Sequence, residues 1–397
     1  MSNLPEIKVR KVTIGEVFKV SSGGTPSRKI DEYFTDGNIA WVKTGDLKGK
    51  FVTVATEFIS QLGLDNSSAK VFPPKTVLLA MYGATIGACS ILPFAAATNQ
   101  ACAAILPSDD CNEIFLYYYL LFIKPSLINK GVGGAQPNIS AGLIKNLEIP
   151  IPPLTEQQKI ASILDAADSL RQKDQQLIKK YAALSQSLFL EMFGDPVSNP
   201  MEWDRKTIRD LVSEVKYGTS SKAEDDGKYP YLRMNNITYQ GYMNFDSLKY
   251  INVTDKDKEK YVVKKGDILF NRTNSKELVG KTGLYNENTE MIIAGYLIRV
   301  RTNEFSNPYY IWAYLNSIHG KLILTNMCKS IVGMANINAQ ELQDIKILIP
   351  PIILQTQFAE RILAIEAQKL LALASLEKSV ALFNSLLQRA FKGELTT

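Results

Sequence analysis

The chain is poor in the residues that build metal and catalytic centres. Its 397 residues include one histidine, His319, and four cysteines, Cys89, Cys102, Cys111 and Cys328, at scattered spacings with no C-x-x-C pair. This excludes a zinc finger, a disulfide scaffold and any mechanism that needs two imidazoles. No G-x-x-x-x-G-K-[ST] phosphate loop occurs. Long apolar runs are missing too: Ile114 to Ile123 is ten residues, and Cys89 to Leu106 is broken by Pro93 and by Thr98-Asn99-Gln100, so no segment is expected to span a bilayer. Met1 to Lys11 is polar and mixed in charge, which gives no secretory signal, and a cytoplasmic location is expected. Charge of one sign is scarce, with 45 basic against 40 acidic residues and a net +5, compatible with a polyanionic partner but not demanding one.

Catalytic motifs are equally thin. Gly131-Val132-Gly133-Gly134 follows a helix-like segment and lacks the third glycine and the strand-turn-helix context of a dinucleotide loop, so it reads as a plain loop. Asn307-Pro308-Tyr309-Tyr310 superficially matches the Asn-Pro-Pro-Tyr motif of adenine methyltransferases, but one proline is missing and no glycine loop for S-adenosylmethionine precedes it. Helix initiation by Asn307 and Pro308 accounts for those residues. The acidic runs Asp109-Asp110 and Glu224-Asp225-Asp226 sit among turn residues and read as solvated loops, and His319 reads as a surface or packing residue. No active site, no metal site and no cofactor are expected on this chain.

What is present is a composition that can bury a core, 46% hydrophobic and 21% charged, and a duplication. At a constant shift of 198 residues, Asn138-Ile139 aligns with Asn336-Ile337 and Ile151-Pro152-Pro153 with Ile349-Pro350-Pro351. The register holds through Gln157/Gln355, Ala161/Ala359, Ala183-Leu184/Ala381-Leu382, Ser187-Leu188/Ser385-Leu386 and Phe193/Phe391. Upstream the match is looser. Gly24-Thr25 pairs with Gly218-Thr219, Trp41-Val42-Lys43 and Asp46-Leu47 with Tyr231-Leu232-Arg233 and Asn236-Ile237, and Val77-Leu78-Leu79 with Asp267-Ile268-Leu269. Each copy is thus a variable part followed by a conserved tail.

The tails predict long helices over residues 155–193 and about 354–392. After the proline breaker, Thr155 with Gln158 forms a capping box, and Gly194-Asp195-Pro196 is a stop. The second copy has Ile353-Leu354 in place of Thr155-Glu156 and loses that box, which leaves its start open. Alternating steps of three and four visit Ile160, Ile163, Ala167, Leu170, Asp174, Leu177, Tyr181, Leu184 and Leu188, all but Asp174 apolar. The second seam runs Ile362, Glu366, Lys369, Leu373, Leu376, Val380, Phe383, Leu387 and Ala390. Such seams are expected to pair, with Ile160, Ile163, Leu170, Leu177, Leu184, Leu188, Ile362, Leu373, Leu376, Val380, Phe383 and Leu387 as the shared core. A tail of about 39 residues would be a rod on the order of 58 Å long.

The variable parts predict strand-rich α+β domains. Strand-like runs are Lys75 to Met81, Tyr261 to Val263, Asp267 to Phe270 and Met291 to Val300; helix-like runs are Ile114 to Ile123 and Tyr309 to Ile318, followed by the glycine-rich Gly131 to Gly134 and its counterpart near Gly333. Asn271-Arg272-Thr273-Asn274-Ser275-Lys276, with Lys281 beyond it, concentrates amide, guanidinium, hydroxyl and ammonium groups suited to base edges and phosphates. The matching stretch Met81-Tyr82-Gly83-Ala84-Thr85-Ile86-Gly87 carries none of that charge. Candidate DNA-contacting residues are therefore Lys43, Thr44, Asp46, Tyr82 and Thr85 in the first copy, and Arg233, Asn235, Asn236, Asn271, Arg272, Thr273, Asn274, Ser275, Lys276 and Lys281 in the second.

With its duplicated Ile-Pro-Pro lead-in, the Thr155-Glu156-Gln157-Gln158-Lys159-Ile160 helix start, the paired long helices and the Arg272-to-Lys281 loop, the whole chain resembles the specificity (S) subunit of type I restriction-modification systems. The resemblance implies a non-catalytic subunit with target-recognition domains at residues 1–150 and 199–348. Conserved spacer helices would occupy 151–198 and 349–397, pair antiparallel and be related by a pseudo-two-fold. It implies double-stranded DNA with a bipartite target and a non-specific spacer, two methyltransferase (M) subunits that bind S-adenosylmethionine, and ATP- and Mg-dependent endonuclease (R) subunits as partners. Two alternatives stay open on the residues alone: the DNA reader of another type of restriction-methylation enzyme, and a coiled-coil scaffold that binds only protein.

Overall fold

Short β-branched runs, cut by Gly, Asn and Asp, favour strands outside the tails. The computed structural model describes residues 10–130, 138–275, 278–331 and 334–395 and folds these runs into small sheets. Two units result, Met1–Gln175 with Ala374–Thr397, and Gln176–Leu373. The division falls inside both long helices, so each unit owns part of each. Gly131 to Gly134, Lys276 and Gly333 lie outside the described residues.

In the first unit, Arg10–Thr13 pairs antiparallel with Glu148–Ile151, the strand that leads into the prolines. An antiparallel sheet has the order Val20–Ser22, Cys102–Ile105, Val77–Ala80, Cys89–Ile91. A second sheet has the order Glu57–Ile59, Ile39–Val42, Ala96–Thr98, Val71–Phe72, with Trp41 parallel to Ala97. Side chains alternate across a strand. Val77 and Leu79 therefore face a core with Phe115, Leu116 and Tyr118 of the helix Glu113–Lys130, while Leu78 and Ala80 join Val42 and Phe72.

The second unit repeats this plan. Its antiparallel sheet runs Val212–Tyr217, Leu297–Thr302, Ile268–Asn271, Thr282–Leu284. Lys249–Ile251, Tyr229–Leu232 and Ile292–Ile293 form the companion sheet, again with one parallel pair, Tyr231 to Ile292. Asp204–Thr207 pairs with Lys346–Ile349, and the helix Pro308–Asn316 takes the place of Glu113–Lys130. Asn307 caps that helix through Tyr309 N at 3.0 Å, so the Asn-Pro-Tyr-Tyr run is a helix start, as expected. Tyr261 to Val263 is not a strand: Tyr261 ends the helix Asp255–Tyr261, and Val262 makes only an isolated bridge to Ile292.

Ladder registers correct two of the pairings between copies. Val77 lies opposite Ile105 and Ile91, and Ile268 lies opposite Val300 and Leu284, so Val77-Leu78-Leu79 corresponds to Ile268-Leu269-Phe270 rather than to Asp267-Ile268-Leu269. Likewise Gly24 N donates to Thr98 O and Thr219 N to Ile293 O, each at 2.9 Å, which matches Gly24 with Thr219 and not with Gly218. Apolar similarity tolerates a one-residue slip that a strand, with its two faces, does not.

The long helices run Leu154–Phe193 and Ile352–Lys392. Both begin directly after their prolines, with Pro153 O accepting from Glu156 N and Pro351 O from Leu354 N at 2.8 and 2.9 Å. Thr155 is already inside the first helix, so the expected capping box does not set its start, and the second helix begins at the equivalent residue without one. What the two starts share is a fully buried glutamine. Gln157 Oε1 accepts from Asn112 N at 2.9 Å, and its Nε2 donates to Asp110 O and Pro152 O at 3.0 and 2.9 Å. Gln355 Oε1 accepts from Asn307 N at 2.9 Å, and its Nε2 donates to Phe305 O and Pro350 O at 3.2 and 2.8 Å.

Within each unit the beginning of one long helix packs on the end of the other, which makes the pair antiparallel. In the first unit Ile160, Leu164 and Ala167 share a core with Phe383, Leu387 and Ala390. In the second, Leu188, Phe189, Met192 and Phe193 meet Phe358 and Ile362, with Phe193 and Phe358 rings 5.1 Å apart.

The buried stripe follows the expected seam on most of the second helix but departs from it in the middle of the first. Ile160, Leu188, Ile362, Phe383 and Leu387 are buried and Leu376 and Val380 half-buried, but Ile163, Leu170, Leu177, Leu184 and Leu373 are exposed. Leu164, Asp168, Arg171, Ile178 and Ser185 turn inward instead. The expected absence of a membrane-length apolar segment also needs correcting. Although Glu377-Lys378-Ser379 interrupts it, the second long helix, Ile352–Lys392, contains a stretch with mean hydropathy 1.4, which by length and composition alone could cross a membrane.

Replacing Gln157 or Gln355 by alanine strands one buried N–H and two carbonyls. Each change is expected to cost about 1–3 kcal/mol per unpaired group at most and to lower the unfolding midpoint by roughly 5 °C. A calorimetric midpoint equal to the parent's would show that the prolines alone hold the helix start.

Candidate nucleic-acid interface

The recognition candidates of the second unit converge on two neighbouring segments. One is the turn Met234–Asn236 after the strand Tyr229–Leu232; the other is the loop that leaves Ile268–Asn271 and returns at Thr282. Lys281 Nζ joins them by donating to Met234 O at 2.7 Å, and Asn274 Nδ2 lies 3.9 Å from Met234 Sδ. Arg272 stacks its guanidinium over Tyr217, 5.0 Å from the ring centre, while its Nε donates to Asn336 Oδ1 at 3.2 Å. Thr273 Oγ1 donates to the same oxygen at 2.9 Å, and Asn274 Oδ1 caps Ser275 N. Arg272, Thr273, Asn274 and Ser275 are half-buried; Arg233 precedes the turn, and Asn235 is exposed within it.

Other candidates are taken up by the fold. Asn271 is fully buried. Asn236 is buried beneath its turn, accepting from Arg233 N and donating to Asn244 O, both at 2.9 Å. Lys281 is buried, and burial pushes its ammonium below the ordinary lysine range. Lys321, which donates to Gly280 O at 3.3 Å and lies over Tyr239, is lowered to about 8 by burial and then by Lys281.

The first unit builds the same two segments with other chemistry. Asp46 is buried and accepts from Lys43 N at 2.9 Å, as Asn236 does from Arg233 N. Thr44 is half-buried on that turn. Tyr82 is exposed, and Thr85 donates to Tyr82 O at 3.2 Å in the short turn that replaces the longer loop. Both loops return through a glycine with positive φ, Gly87 at 76° and Gly280 at 74°. Lys43 Nζ is ion-paired to Glu57, whose other oxygen lies 2.5 Å from Arg28.

Tyr217, Tyr239, Lys321, Arg28 and Glu57 had no signal in the sequence, and Asn336 had one only as part of the repeat. Tyr217 and Asn336 come from distant strands, Lys321 from the helix Ile318–Met327, Arg28 from a loop and Glu57 from a strand, while Tyr239 follows its turn directly. Among the described residues no group of His, Cys, Asp and Glu could hold a metal ion. His319 packs edge-on against Tyr314, 5.9 Å between ring centres, and Asp225 pairs with Lys249 at 2.7 Å.

The family model described as "type I restriction modification DNA specificity domain" matches residues 6–180 and again 200–375. The type I restriction enzyme EcoKI specificity subunit of Escherichia coli K12 is 25% identical over 403 residues, covering 92% of this chain and 84% of the relative. The StySPI specificity subunit of Salmonella potsdam is 23% identical over 401 residues with the same coverage, 92% and 84%. In fold, the chain is similar to the solved type I restriction-modification S subunit of M. genitalium, with TM-score 0.62, 16% identity and 98% of each chain covered. Two matched specificity domains on a duplicated scaffold, each match running into a long helix, make this chain a member of the DNA specificity (S) subunits of type I restriction-modification systems.

Proposed function

We propose that the two recognition domains, residues 1–150 and 199–348, each read one half of a split double-stranded DNA target, and that the helices within 151–198 and 349–397 set the spacer between the halves. The observation that carries this reading is one scaffold used twice with different chemistry at the same place. Where the second unit has Arg272 and Thr273, the first has Met81 and Tyr82, their ladder counterparts: Met81 O accepts from Ile139 N as Arg272 O accepts from Ile337 N, each at 2.9 Å. A duplicated reader with identical loops would bind a repeat; this one binds two different sequences.

The chain itself is a non-catalytic subunit. Two methyltransferase subunits carry S-adenosylmethionine, and translocating endonuclease subunits carry ATP and Mg. The exposed Ile163, Leu170, Leu177 and Leu184, seven residues apart on the first long helix, supply an apolar stripe for the methyltransferase subunits, and the apolar surface of the second helix serves the same docking and not a membrane. The complex works in the cytoplasm. Charge supports shared binding: residues 1–150 carry 14 basic against 12 acidic side chains and residues 199–350 carry 21 against 18. Since phosphate neutralisation supplies most of the affinity for duplex DNA, the chain alone binds weakly and its partners complete the clamp.

The test is the methylation pattern of DNA from cells expressing this chain with its methyltransferase. Two half-sites and one fixed spacer are expected. Arg272→Ala should relax one half-site, by about 1–3 kcal/mol if the contact is bidentate, and leave the other intact; equal loss at both halves contradicts the domain assignment.

Four-residue insertions into both long helices, after Lys173 and after Leu371, add about 6 Å to each, roughly two base pairs of 3.4 Å. The spacer should lengthen by that amount with both half-site sequences unchanged. Altered half-sites with an unaltered spacer would end the ruler idea.

A further inference from the structure

In the second unit an arginine is laid on an aromatic ring and pinned by a second side chain, Arg272 on Tyr217 with Asn336. The first unit has no arginine at that position, because Met81 is buried there. It has an equivalent arrangement built from other segments. The guanidinium of Arg28 lies 4.5 Å from the ring centre of Phe34 and 5.1 Å from that of Trp41. Its Nη2 is 2.5 Å from Glu57 Oε2, and Glu57 Oε1 takes the ammonium of Lys43. Lys43 opens the turn that corresponds to the Arg233 turn of the second unit.

The base of this arrangement is rigid. Trp41 is buried and donates its indole N–H to Gly24 O at 3.0 Å. A Cβ on Gly23 would lie 1.9 Å from Thr98 O, so the loop carrying Arg28 lies directly on the strand Ala96–Thr98. The tip is open, with the Arg28 side chain 53% exposed. An exposed ion pair of this kind contributes little to folding, so stability does not account for an arginine held by two rings and a shared carboxylate. Holding it does remove rotamer freedom before binding, which an arginine reading a base would otherwise lose on contact.

We infer that Arg28 is the specificity-determining arginine of the first recognition domain, contacting guanine O6 and N7 in the major groove, and that Glu57 is a positioning residue that fixes it beside Lys43. This rests on the DNA-reading function proposed above and adds the residue and the base.

The experiment uses the full chain assembled with its methyltransferase subunits. Competition binding is measured against duplexes in which each base pair of the first half-site is replaced in turn, with the salt dependence recorded alongside. The parent complex should lose at least about tenfold when one G·C pair is changed. Arg28→Ala should abolish that discrimination alone, leaving the second half-site profile and the unfolding midpoint unchanged. Arg28→Lys should keep part of it, and Glu57→Gln should weaken it without altering the midpoint. Uniformly weaker binding with discrimination intact and a salt slope reduced by about one would make Arg28 a phosphate contact and overturn the assignment. An unchanged profile in Arg28→Ala overturns it as well. Absence of discrimination at both half-sites in the parent complex would instead remove the DNA-reading function itself.

Discussion

Everything in each unit that concerns direction depends on one buried amide. Gln157 and Gln355 each join three stretches of backbone: the first turn of their own long helix, the proline strand before it, and the residues that open the domain helix. Asn112 and Asn307, which give their N–H to these glutamines, also cap the domain helices with their side chains. A long helix leaving a sheet could pivot about its proline hinge. Here a pivot would strand a buried amide together with several backbone groups, and in a low-dielectric interior that penalty is steep. The exit angle of the helix is therefore fixed by hydrogen bonds and not by helix propensity. This explains why the second copy dispenses with the capping box yet starts at the same place.

Much of this architecture was legible because duplication is a property of sequence. The prolines, the glutamines and the helical period survive in both copies, so the long helices, their pairing and the α+β character of the variable parts follow directly. Register in the variable parts was less accessible. A run such as Val77-Leu78-Leu79 resembles both Asp267-Ile268-Leu269 and Ile268-Leu269-Phe270, and only the partners across the ladder decide between them. Tyr261 to Val263 has the composition of a strand, yet the preceding Thr254 caps a charged helix that runs into it.

The candidate interface was half legible for a different reason. Residue type identifies groups able to touch DNA, but Asn and Asp serve turns with the same groups. Asp46 and Asn236 occupy one position in the two units and do one job there, closing a turn over their own backbone. What differs between the units sits around that conserved turn: Arg272 with Tyr217 and Asn336 in one, Lys43 with Glu57 and Arg28 in the other. These partners come from strands and loops far away in sequence, so no local motif announces them. A scaffold that keeps its turn and varies its surroundings can change what it reads without refolding.

The displaced seam of the long helices shows the opposite bias. Counting apolar residues at steps of three and four selects Ile163, Leu170, Leu177 and Leu184, yet these are exposed, and the inward face accepts Asp168, Arg171, Asp174 and Ser185. Each of these side chains has a partner, although Arg171 Nε itself makes no hydrogen bond. Asp168 pairs with Arg171 at 2.5 Å, Arg171 lies over the Phe383 ring, and Asp174 accepts from Ser375 Oγ at 3.1 Å. In the second unit Ser185 and Tyr242 both donate to Glu366, at 3.4 and 3.1 Å, and Lys369 sits 3.9 Å from the centre of the Tyr242 ring. Leucines at these positions would bury more apolar area, but a leucine seam slides by a heptad at little cost and accepts a parallel partner. Asp174 on Ser375 and Glu366 on Ser185 do not, because a slip takes each carboxylate away from its partner on the other helix. The helices thus give up apolar burial inside the pair for a single register. The apolar residues displaced by that choice stand seven apart on the outer face of the first long helix, which is the pattern a further helix would need to join the pair.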